Sequence, residues 1–177
     1  MSGFTLWFTG LSGSGKTTIS ELVAPELERR GLLVERLDGD VVRTHLSYGL
    51  GFSKGDRDAN IERIGWVASR LTRAGAAVVV SAISPYAAAR AKARAMVEEF
   101  GPFVEVHVAT PVEECERRDV KGLYARARTG EIPEFTGVSD PYEEPVNPEL
   151  RIDTTELSAV EAAGLVLSTL EELGCSA

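Results

Sequence analysis

Hydrophobic residues along the chain gather in short runs, which longer stretches of mixed polarity separate. Five runs predict strands at 4–9, 32–37, 76–83, 103–109 and 150–152. Between them, apolar positions recur at helical spacing and predict helices at about 16–29, 57–74, 85–99, 111–128 and 158–173. The longer strand runs are almost continuously apolar, which is typical of strands covered on both faces of a parallel sheet.

The alternation of strands and helices predicts an α/β fold with right-handed crossover connections. A length of 177 residues is that of one ordinary domain, so we expect residues 1–177 to form a single domain. The segment 130–148 is rich in Gly and Pro and has no periodicity. Because it is too long for an idle connection, we predict a functional loop there, within a lid region of about 117–148.

The composition and charge exclude several classes of protein. A hydrophobic fraction of 44% and a charged fraction of 26% are those of a globular protein. The net charge of −8 disfavours sequence-independent nucleic-acid binding, which requires a basic surface. An anionic substrate would therefore need locally gathered arginines and lysines.

Nothing in the sequence indicates a membrane or a secreted location. No apolar run reaches the roughly 18 residues of a membrane span. The first residues, MSGFTLWFTG, lack the basic region of a signal peptide. Cys115 and Cys175 fit neither a disulfide framework nor a metal site, which favours free thiols in a reducing compartment. We therefore expect a cytoplasmic protein without membrane or nucleic-acid partners.

A phosphate-binding motif follows the first predicted strand. GLSGSGKT matches G-x-x-x-x-G-K-[ST] between a strand and a helix, where its backbone N–H groups and the helix dipole would hold phosphates. We expect Lys16 to reach the β- and γ-phosphates and the Thr17 hydroxyl to bind Mg²⁺. The predicted nucleotide-binding residues of the loop are Gly10, Leu11, Ser12, Gly13, Ser14, Gly15, Lys16, Thr17 and Thr18.

A phosphate loop of this kind occurs in GTPases, in ATPase motors and in small-molecule kinases. The chain is short for a motor, and it contains no guanine-reading N-K-x-D pattern. A kinase also needs an acceptor site, which directs attention to LDGDVVR at 37–43.

Two carboxylates stand at the end of the second predicted strand, on the edge where ligands of open α/β sheets bind. Asp40 opens a short helical stretch and could simply be its N-cap. Alternatively, Asp38 supports Mg²⁺, Asp40 orients an acceptor hydroxyl, and Arg43, one turn later on the same face, clamps an anion. Only the second interpretation accounts for all three residues.

Other polar residues also lie where strands end. Arg57 and Asn60 share one predicted helix face, and ISPY at 83–86 follows the third strand. A basic run at 117–132 stands out in an acidic protein, although Arg126 and Arg128 are expected to be solvated. The candidates for a lid over phosphates are Arg117, Arg118 and Lys121.

Together the motifs GLSGSGKTT, LDGDVVR, LGFSKGDRDANI, SAISPY, CERRDVKGLYARARTGEIPEFTGVSDPYEEP and PEL closely resemble the adenylyl-sulfate kinases (APS kinases). The likeness runs from about Leu6 to Leu150, in the same order. The resemblance implies a P-loop NTPase fold, with a mostly parallel sheet of about five strands and helices on both faces. It also implies transfer of the ATP γ-phosphoryl group to the 3′-hydroxyl of adenosine 5′-phosphosulfate (APS), with Mg²⁺, giving 3′-phosphoadenylyl sulfate (PAPS) and ADP in sulfate assimilation.

The resemblance further implies a homodimer and a set of site residues. It makes Lys16, Asp40 and Ser84 catalytic, and the last of these has been assigned a phosphoserine in the family. We expect Ser84 instead to position the substrate, because no general base stands next to it in the sequence. The implied acceptor contacts are Asp40, Arg43, Arg57, Asn60, Ile83, Ser84 and Lys121, with Phe52 and Phe135 enclosing the adenine. We place Arg118 and Thr154 near the adenine pocket for ATP.

Other functions remain open at this point. A P-loop kinase for a sugar or a nucleoside is one alternative, although Phe52, Arg57 and Phe135 count against it. A catalytically silent nucleotide-binding subunit is another, and the intact Lys16 and Asp40 count against that. The chain could also be a module of a larger sulfate-activating polypeptide, with a functional or covalent link to ATP sulfurylase.

Overall fold

The computed structural model describes residues 3–175 and contains one sheet flanked by helices. Its five strands are β1 (Phe4–Thr9), β2 (Val34–Asp38), β3 (Ala77–Ser81), β4 (Phe103–Val108) and β5 (Leu150–Ile152). The helices in this part of the chain are α1 (Lys16–Arg29), α2 (Gly39–Thr44), α3 (Lys54–Arg73), α4 (Ala87–Glu98), α5 (Val112–Arg118), α6 (Leu123–Arg128) and α7 (Ala159–Glu172).

The sheet is parallel throughout and has the strand order β2-β3-β1-β4-β5. Because all strands run the same way, the segments that follow β1, β2 and β3 emerge at one edge of the sheet. The phosphate loop follows β1, the two aspartates end β2, and the ISPY turn follows β3. The predicted α/β fold with a five-stranded parallel sheet is confirmed.

Side chains alternate between two cores, one on each face of the sheet. On β1, Leu6 and Phe8 pack on the face that α1 and α7 cover, whereas Trp7 packs on the face that α3 and α4 cover. Burial of apolar area at roughly 25 cal/mol per Å² makes these two layers the main source of stability. Both layers hold the carboxyl edge of β1 in a fixed position.

The structure corrects several predicted boundaries. Strand β2 is an edge strand, so its residues are partly exposed instead of buried on both faces. The single helix predicted at 111–128 is two helices, because Asp119 takes a left-handed conformation with φ of 32° and Gly122 one with φ of 66°. Helix α3 begins at Lys54, three residues before the prediction, since the Ser53 side chain caps it by accepting from the Asp56 N–H at 3.1 Å.

The segment 130–148 contains no helix or strand, as its composition predicts, but it is held in place. One isolated bridge joins Thr136 to Asp140. Among the described residues, no helix has the length and apolar character that crossing a membrane requires.

Candidate active site

The phosphate loop wraps around the start of α1 in a conformation that depends on glycine. Gly10, Gly13 and Gly15 have φ values of 155°, 75° and 108°, which disfavour residues with side chains. A Cβ atom on Gly10 would also lie 2.4 Å from the carbonyl oxygen of Val108. Glycine at these positions therefore lets the loop turn tightly around the start of α1.

Lys16 is buried at the base of this loop. Its ammonium group donates to the carbonyl oxygens of Gly10 at 2.9 Å and Leu11 at 2.8 Å. Burial lowers the pKa of Lys16 from its usual 10.5 to about 8, although the carboxylates of Asp38 and Asp40 act in the opposite direction. Negative phosphate groups beside the ammonium would favour its charged form.

The residues expected to hold magnesium lie next to each other at the carboxyl edge. The Thr17 hydroxyl donates to Asp38 Oδ2 at 3.3 Å. No group of three or more His, Cys, Asp or Glu residues forms a metal cluster in residues 3–175. Since Mg²⁺ usually takes one or two protein oxygens together with waters and substrate phosphates, one hydroxyl and one carboxylate fit this ion.

The N-cap of α2 is Asp38 and not Asp40, which corrects one of the two interpretations of the DGD motif. The Asp38 carboxylate accepts the Asp40 backbone N–H at 3.0 Å. Asp40 lies in the first turn of α2 with a side chain that is 73% exposed. It forms an ion pair with Lys121, which belongs to the connection between α5 and α6. Asp40 therefore does not cap the helix, and its carboxylate contacts the lid region through Lys121.

Arg43 and Phe52 contact each other beside Asp40. The guanidinium of Arg43 lies 4.3 Å from the centre of the Phe52 ring and donates to the Gly51 carbonyl at 2.9 Å. Burial, together with the charge of nearby Arg57, lowers the pKa of Arg43. The Phe52 ring is exposed, so one planar surface is presented to solvent next to a cation.

Arg57 is buried on α3, and its hydrogen bonds reach the segment 130–148. It donates to Asp140 Oδ2 at 2.7 Å, to Thr136 Oγ1 at 3.3 Å and to the Glu134 carbonyl. The guanidinium of Arg57 is therefore bound to the lid. The predicted role of Arg57 in anion binding did not include this contact.

Asn60, one turn after Arg57, lies on the same face of α3 and is 5% exposed. Its Oδ1 atom has no hydrogen-bond partner among the described residues. A buried polar atom without a partner is costly, and a bound ligand is one way to satisfy it.

Ser84 is strained and its hydroxyl is already engaged. Its φ is 44°, an uncommon value for a residue with a side chain, and it is 1% exposed. The hydroxyl accepts the Trp7 indole N–H at 3.1 Å and donates to the Ala82 carbonyl at 3.2 Å. The neighbouring Ile83 carbonyl accepts the Thr9 hydroxyl at 2.7 Å. These contacts are those of a structural turn, because neither partner of the hydroxyl is a general base.

Arg118 and Thr154 lie behind the phosphate loop. The Arg118 guanidinium donates to Thr154 Oγ1 and to the Thr154 carbonyl, both at 2.9 Å. Thr154 Oγ1 in turn donates to the Ser14 carbonyl at 2.9 Å. Both residues therefore brace the loop from the side of β5.

Several residues of the site had no predicted role. The Tyr124 hydroxyl donates to the Ser12 carbonyl at 2.7 Å, and its ring meets Phe135 edge-on with 5.0 Å between ring centres. The Tyr86 hydroxyl donates to Asp140 Oδ2 at 2.5 Å, and the Tyr142 hydroxyl lies 2.8 Å from Thr9 Oγ1. The motif DPYEEP marked Asp140 and Tyr142 in the sequence, but a sequence motif does not show which residues these side chains contact.

Comparison with known proteins decides the family. The family model described as adenylylsulphate kinase matches residues 2–153. The chain belongs to the adenylylsulphate kinase family.

Individual members of the adenylylsulphate kinase family are similar over nearly the whole chain. The adenylyl-sulfate kinase of Picosynechococcus sp. is 57% identical over 172 residues, which is 97% of this chain and 96% of that protein. The Mycobacterium tuberculosis APS kinase, solved in complex with AMPPNP and APS, is 48% identical with a TM-score of 0.92, covering 96% of this chain and 98% of that one. The hexameric APS kinase from Thiobacillus denitrificans is 42% identical with a TM-score of 0.79, covering 99% of this chain and 30% of that one.

As a member of the adenylylsulphate kinase family, the chain is an ATP-dependent kinase of adenylyl sulfate that uses Mg²⁺ and forms PAPS and ADP. The side chains gathered at the carboxyl edge of β1, β2 and β3 are the groups available for this reaction. The individual roles of these side chains stay predictions.

Proposed function

We propose that the chain phosphorylates the 3′-hydroxyl of APS at the carboxyl edge of the sheet, between the phosphate loop and the turn at Asp38 and Asp40. The observation that carries this proposal is the meeting of three segments there. Lys16 and Thr17 follow β1, Asp38 and Asp40 lie at the end of β2, and Lys121 follows β4. The Thr17–Asp38 hydrogen bond and the Asp40–Lys121 ion pair join these three segments. A phosphate donor and a hydroxyl acceptor can therefore be bound side by side.

The donor side neutralises charge. Lys16 would hold the β- and γ-phosphates, while the glycine loop binds them through its N–H groups. Thr17 and Asp38 would hold Mg²⁺, which supplies positive charge to the transferring phosphoryl group when it is bound. Arg118 and Thr154 keep the loop in shape from behind, and we assign their neighbourhood to the nucleoside of ATP.

The acceptor side aligns the hydroxyl. Asp40 would accept a hydrogen bond from the 3′-hydroxyl and take its proton as the phosphoryl group arrives, while the ion pair with Lys121 orients the carboxylate. Phosphoryl transfer passes through a loose transition state, so alignment matters more than a strong base. Arg43 would bind the sulfate or phosphate of APS, since guanidinium groups bind such anions in two-pronged fashion.

The purine of APS needs flat apolar surfaces. We assign this task to the exposed Phe52 ring and to Phe135, with Asn60 offering its free Oδ1 to a ligand donor. Stacking on an aromatic ring contributes roughly 1–3 kcal/mol per base in nucleic-acid systems. Ile83 and Ser84 would shape the floor of this subsite, and transfer would be direct, without a phosphoserine.

The wider setting is also part of the proposal. We propose one kinase domain over 1–177 with a lid at about 117–148, working in the cytoplasm as a homodimer.

Trp66 is 57% exposed on α3 and lines a groove of about 380 Å³, which offers a surface for self-association. Sedimentation of Trp66→Glu against the unaltered protein tests that surface. APS would be supplied by an ATP sulfurylase, linked functionally or covalently.

A coupled assay for ADP release tests the function. We expect turnover with APS and little with a panel of sugars and nucleosides, because only APS offers both an adenine and two anionic groups to Phe52 and Arg43. Preference for a sugar or a nucleoside would overturn the proposal, and nucleotide binding without any turnover would support the silent-subunit alternative.

A further inference from the structure

Arg90 on α4 lies outside the residues assigned above, yet it is one of the most buried charged groups of the chain. Its side chain is 4% exposed, and its Nε atom lies 3.2 Å from Glu105 Oε1 on β4. Burying an ion pair this deeply is costly unless its remaining donors are also satisfied. The other two arms of the guanidinium satisfy that condition by contacts with the acceptor side of the site.

One arm of Arg90 holds the strained turn after β3. Its NH1 group donates to the Ser84 carbonyl at 2.6 Å. Ser84 has a φ of 44°, a strained conformation that persists only where surrounding contacts enforce it. The Thr9 hydroxyl is 3.4 Å from the same carbonyl, so Arg90 makes the shorter of these two hydrogen bonds.

The other arm of Arg90 holds the end of the lid region. Its NH2 group donates to the Glu143 carbonyl at 2.5 Å, and the guanidinium lies 5.7 Å from the centre of the Tyr142 ring. Glu143 is also tied to the same turn, because its N–H donates to the Pro85 carbonyl at 2.8 Å and its carboxylate accepts the Ala87 N–H at 2.8 Å. Arg90 therefore links the turn at Ser84 to the lid, alongside the two hydrogen bonds of Glu143.

We propose that Arg90 is a positioning residue for the acceptor: it fixes the Ser84 turn and the Tyr142–Glu143 end of the lid relative to each other, and so sets the shape of the APS subsite. This inference rests on the proposed function. The inference predicts different effects of an Arg90 substitution on the KM for APS and on the KM for ATP. Within residues 3–175, no hydrogen bond or ion pair joins Arg90 to the phosphate loop, so its loss should affect APS far more than ATP.

Steady-state kinetics with both substrates tests the inference. In Arg90→Lys, which keeps a positive charge beside Glu105 but lacks the planar fork, we expect the KM for APS to rise. In Arg90→Met combined with Glu105→Gln, which leaves no unpaired charge in the core, we expect a rise of about 10- to 100-fold, the range that loss of charged hydrogen bonds produces. The KM for ATP should stay within about twofold, and Arg90→Lys should keep more of the APS affinity than the double variant.

Arg94→Met is the matched control. Arg94 lies one turn later on α4 and also pairs with Glu105, at 3.6 Å, but its other bonds run to Glu98, Glu149 and the Phe103 carbonyl. We expect Arg94→Met to lower the thermal midpoint without changing the KM for APS more than about twofold.

Two results would overturn the inference, namely a KM for APS that is unchanged in a folded Arg90 variant, and equal rises in KM for both substrates. Should the double variant not fold, Arg90→Lys decides on the same criterion. Failure of the proposed function is distinguishable, because the unaltered protein would then not phosphorylate APS at all.

Discussion

Asp38 and Asp40 stand two residues apart and do different things. Asp38 caps α2 and accepts the Thr17 hydroxyl, whereas Asp40 pairs with Lys121 and is not a cap. The sequence alone could not separate these tasks, because both residues suit the start of a helix. Only the backbone geometry shows which carboxylate turns back to the helix N-terminus.

Asp40→Asn tests this division of tasks. We expect kcat to fall by roughly 10²–10⁴, because an amide cannot take the proton of the acceptor hydroxyl. The thermal midpoint should hardly move, since the Asp40 side chain is 73% exposed and caps nothing. In Asp38→Asn, as the comparison, activity should instead need more Mg²⁺. Full activity in Asp40→Asn would remove this residue from the chemistry.

Ser84 gives a second test at the same scale. Ser84→Ala removes the acceptor of the Trp7 indole N–H, so we expect a loss of about 1–3 kcal/mol in the free energy of unfolding. Substantial kcat should remain, because direct transfer does not need this hydroxyl. Urea unfolding and initial rates on one preparation measure both effects. Detection of a kinetically competent phosphoenzyme that disappears in the variant would contradict direct transfer.

Among the elements, those with strong periodicity were predictable and those set by tertiary contacts were not. Strands β1, β3 and β4 are buried on both faces, as their continuous apolar runs predict. The break between α5 and α6 depends on Asp119, which is held in a left-handed conformation while its carboxylate accepts the N–H groups of Tyr124 and Ala125. No local pattern reveals such a contact in advance.

The candidate site shows the same limit. The phosphate loop could be predicted because its mechanism requires a fixed spacing within eight residues. The lid contacts could not, since Arg57 and Asp140 are 83 positions apart. The sequence indicated that 130–148 is functional but not which side chains hold it.

The lid element provides a prediction that separates two arginines. Arg43→Ala and Arg57→Ala should each weaken APS more than ATP, by roughly 1.5–3 kcal/mol if charged hydrogen bonds are lost. Of these two variants, only Arg57→Ala should also release the lid, because Arg57 donates to Asp140, Thr136 and Glu134, whereas Arg43 donates to Gly51. Calorimetry measures the affinities, and limited proteolysis within 130–148 measures the release.

Asp140→Asn is the control for this comparison. It removes the charge partner of Arg57 while leaving the guanidinium in place, so it should release the lid and retain more APS affinity than Arg57→Ala. Equal protease sensitivity of the Arg43 and Arg57 variants would contradict the assignment of Arg57 to the lid. A loss of ATP affinity as large as the loss of APS affinity would contradict the assignment of both arginines to the acceptor side.

For the molecule as a whole, the site is a source of instability. Keeping Lys16 charged while it is buried disfavours the folded state, which is why its pKa lies at about 8 in the folded protein, against 10.5 for an ordinary lysine. Because the unfolded chain binds this proton more tightly, the penalty is fully present below pH 8. It disappears as the pH rises from 8 to 10.5.

Lys16→Met should therefore increase the free energy of unfolding of the nucleotide-free protein at pH 7, by on the order of 1–3 kcal/mol, while abolishing turnover. The increase should shrink when both proteins are unfolded in urea near pH 9.5. Lys92→Met is the control, because Lys92 is an exposed lysine paired with Glu62 at 2.8 Å and should show no such gain. A gain that does not change with pH would contradict this origin.

The indole of Trp7 provides an intrinsic fluorescent probe of the site. The chain has two tryptophans, of which Trp7 is fully buried and donates to Ser84, whereas Trp66 is 57% exposed. Replacing Trp66 by Phe would leave one tryptophan, beside the Ser84 turn that we propose as part of the acceptor subsite and shielded from an aqueous quencher such as iodide. Its emission would report local polarity at the turn while APS binds, in the unlabelled enzyme and on the millisecond timescale of stopped-flow mixing.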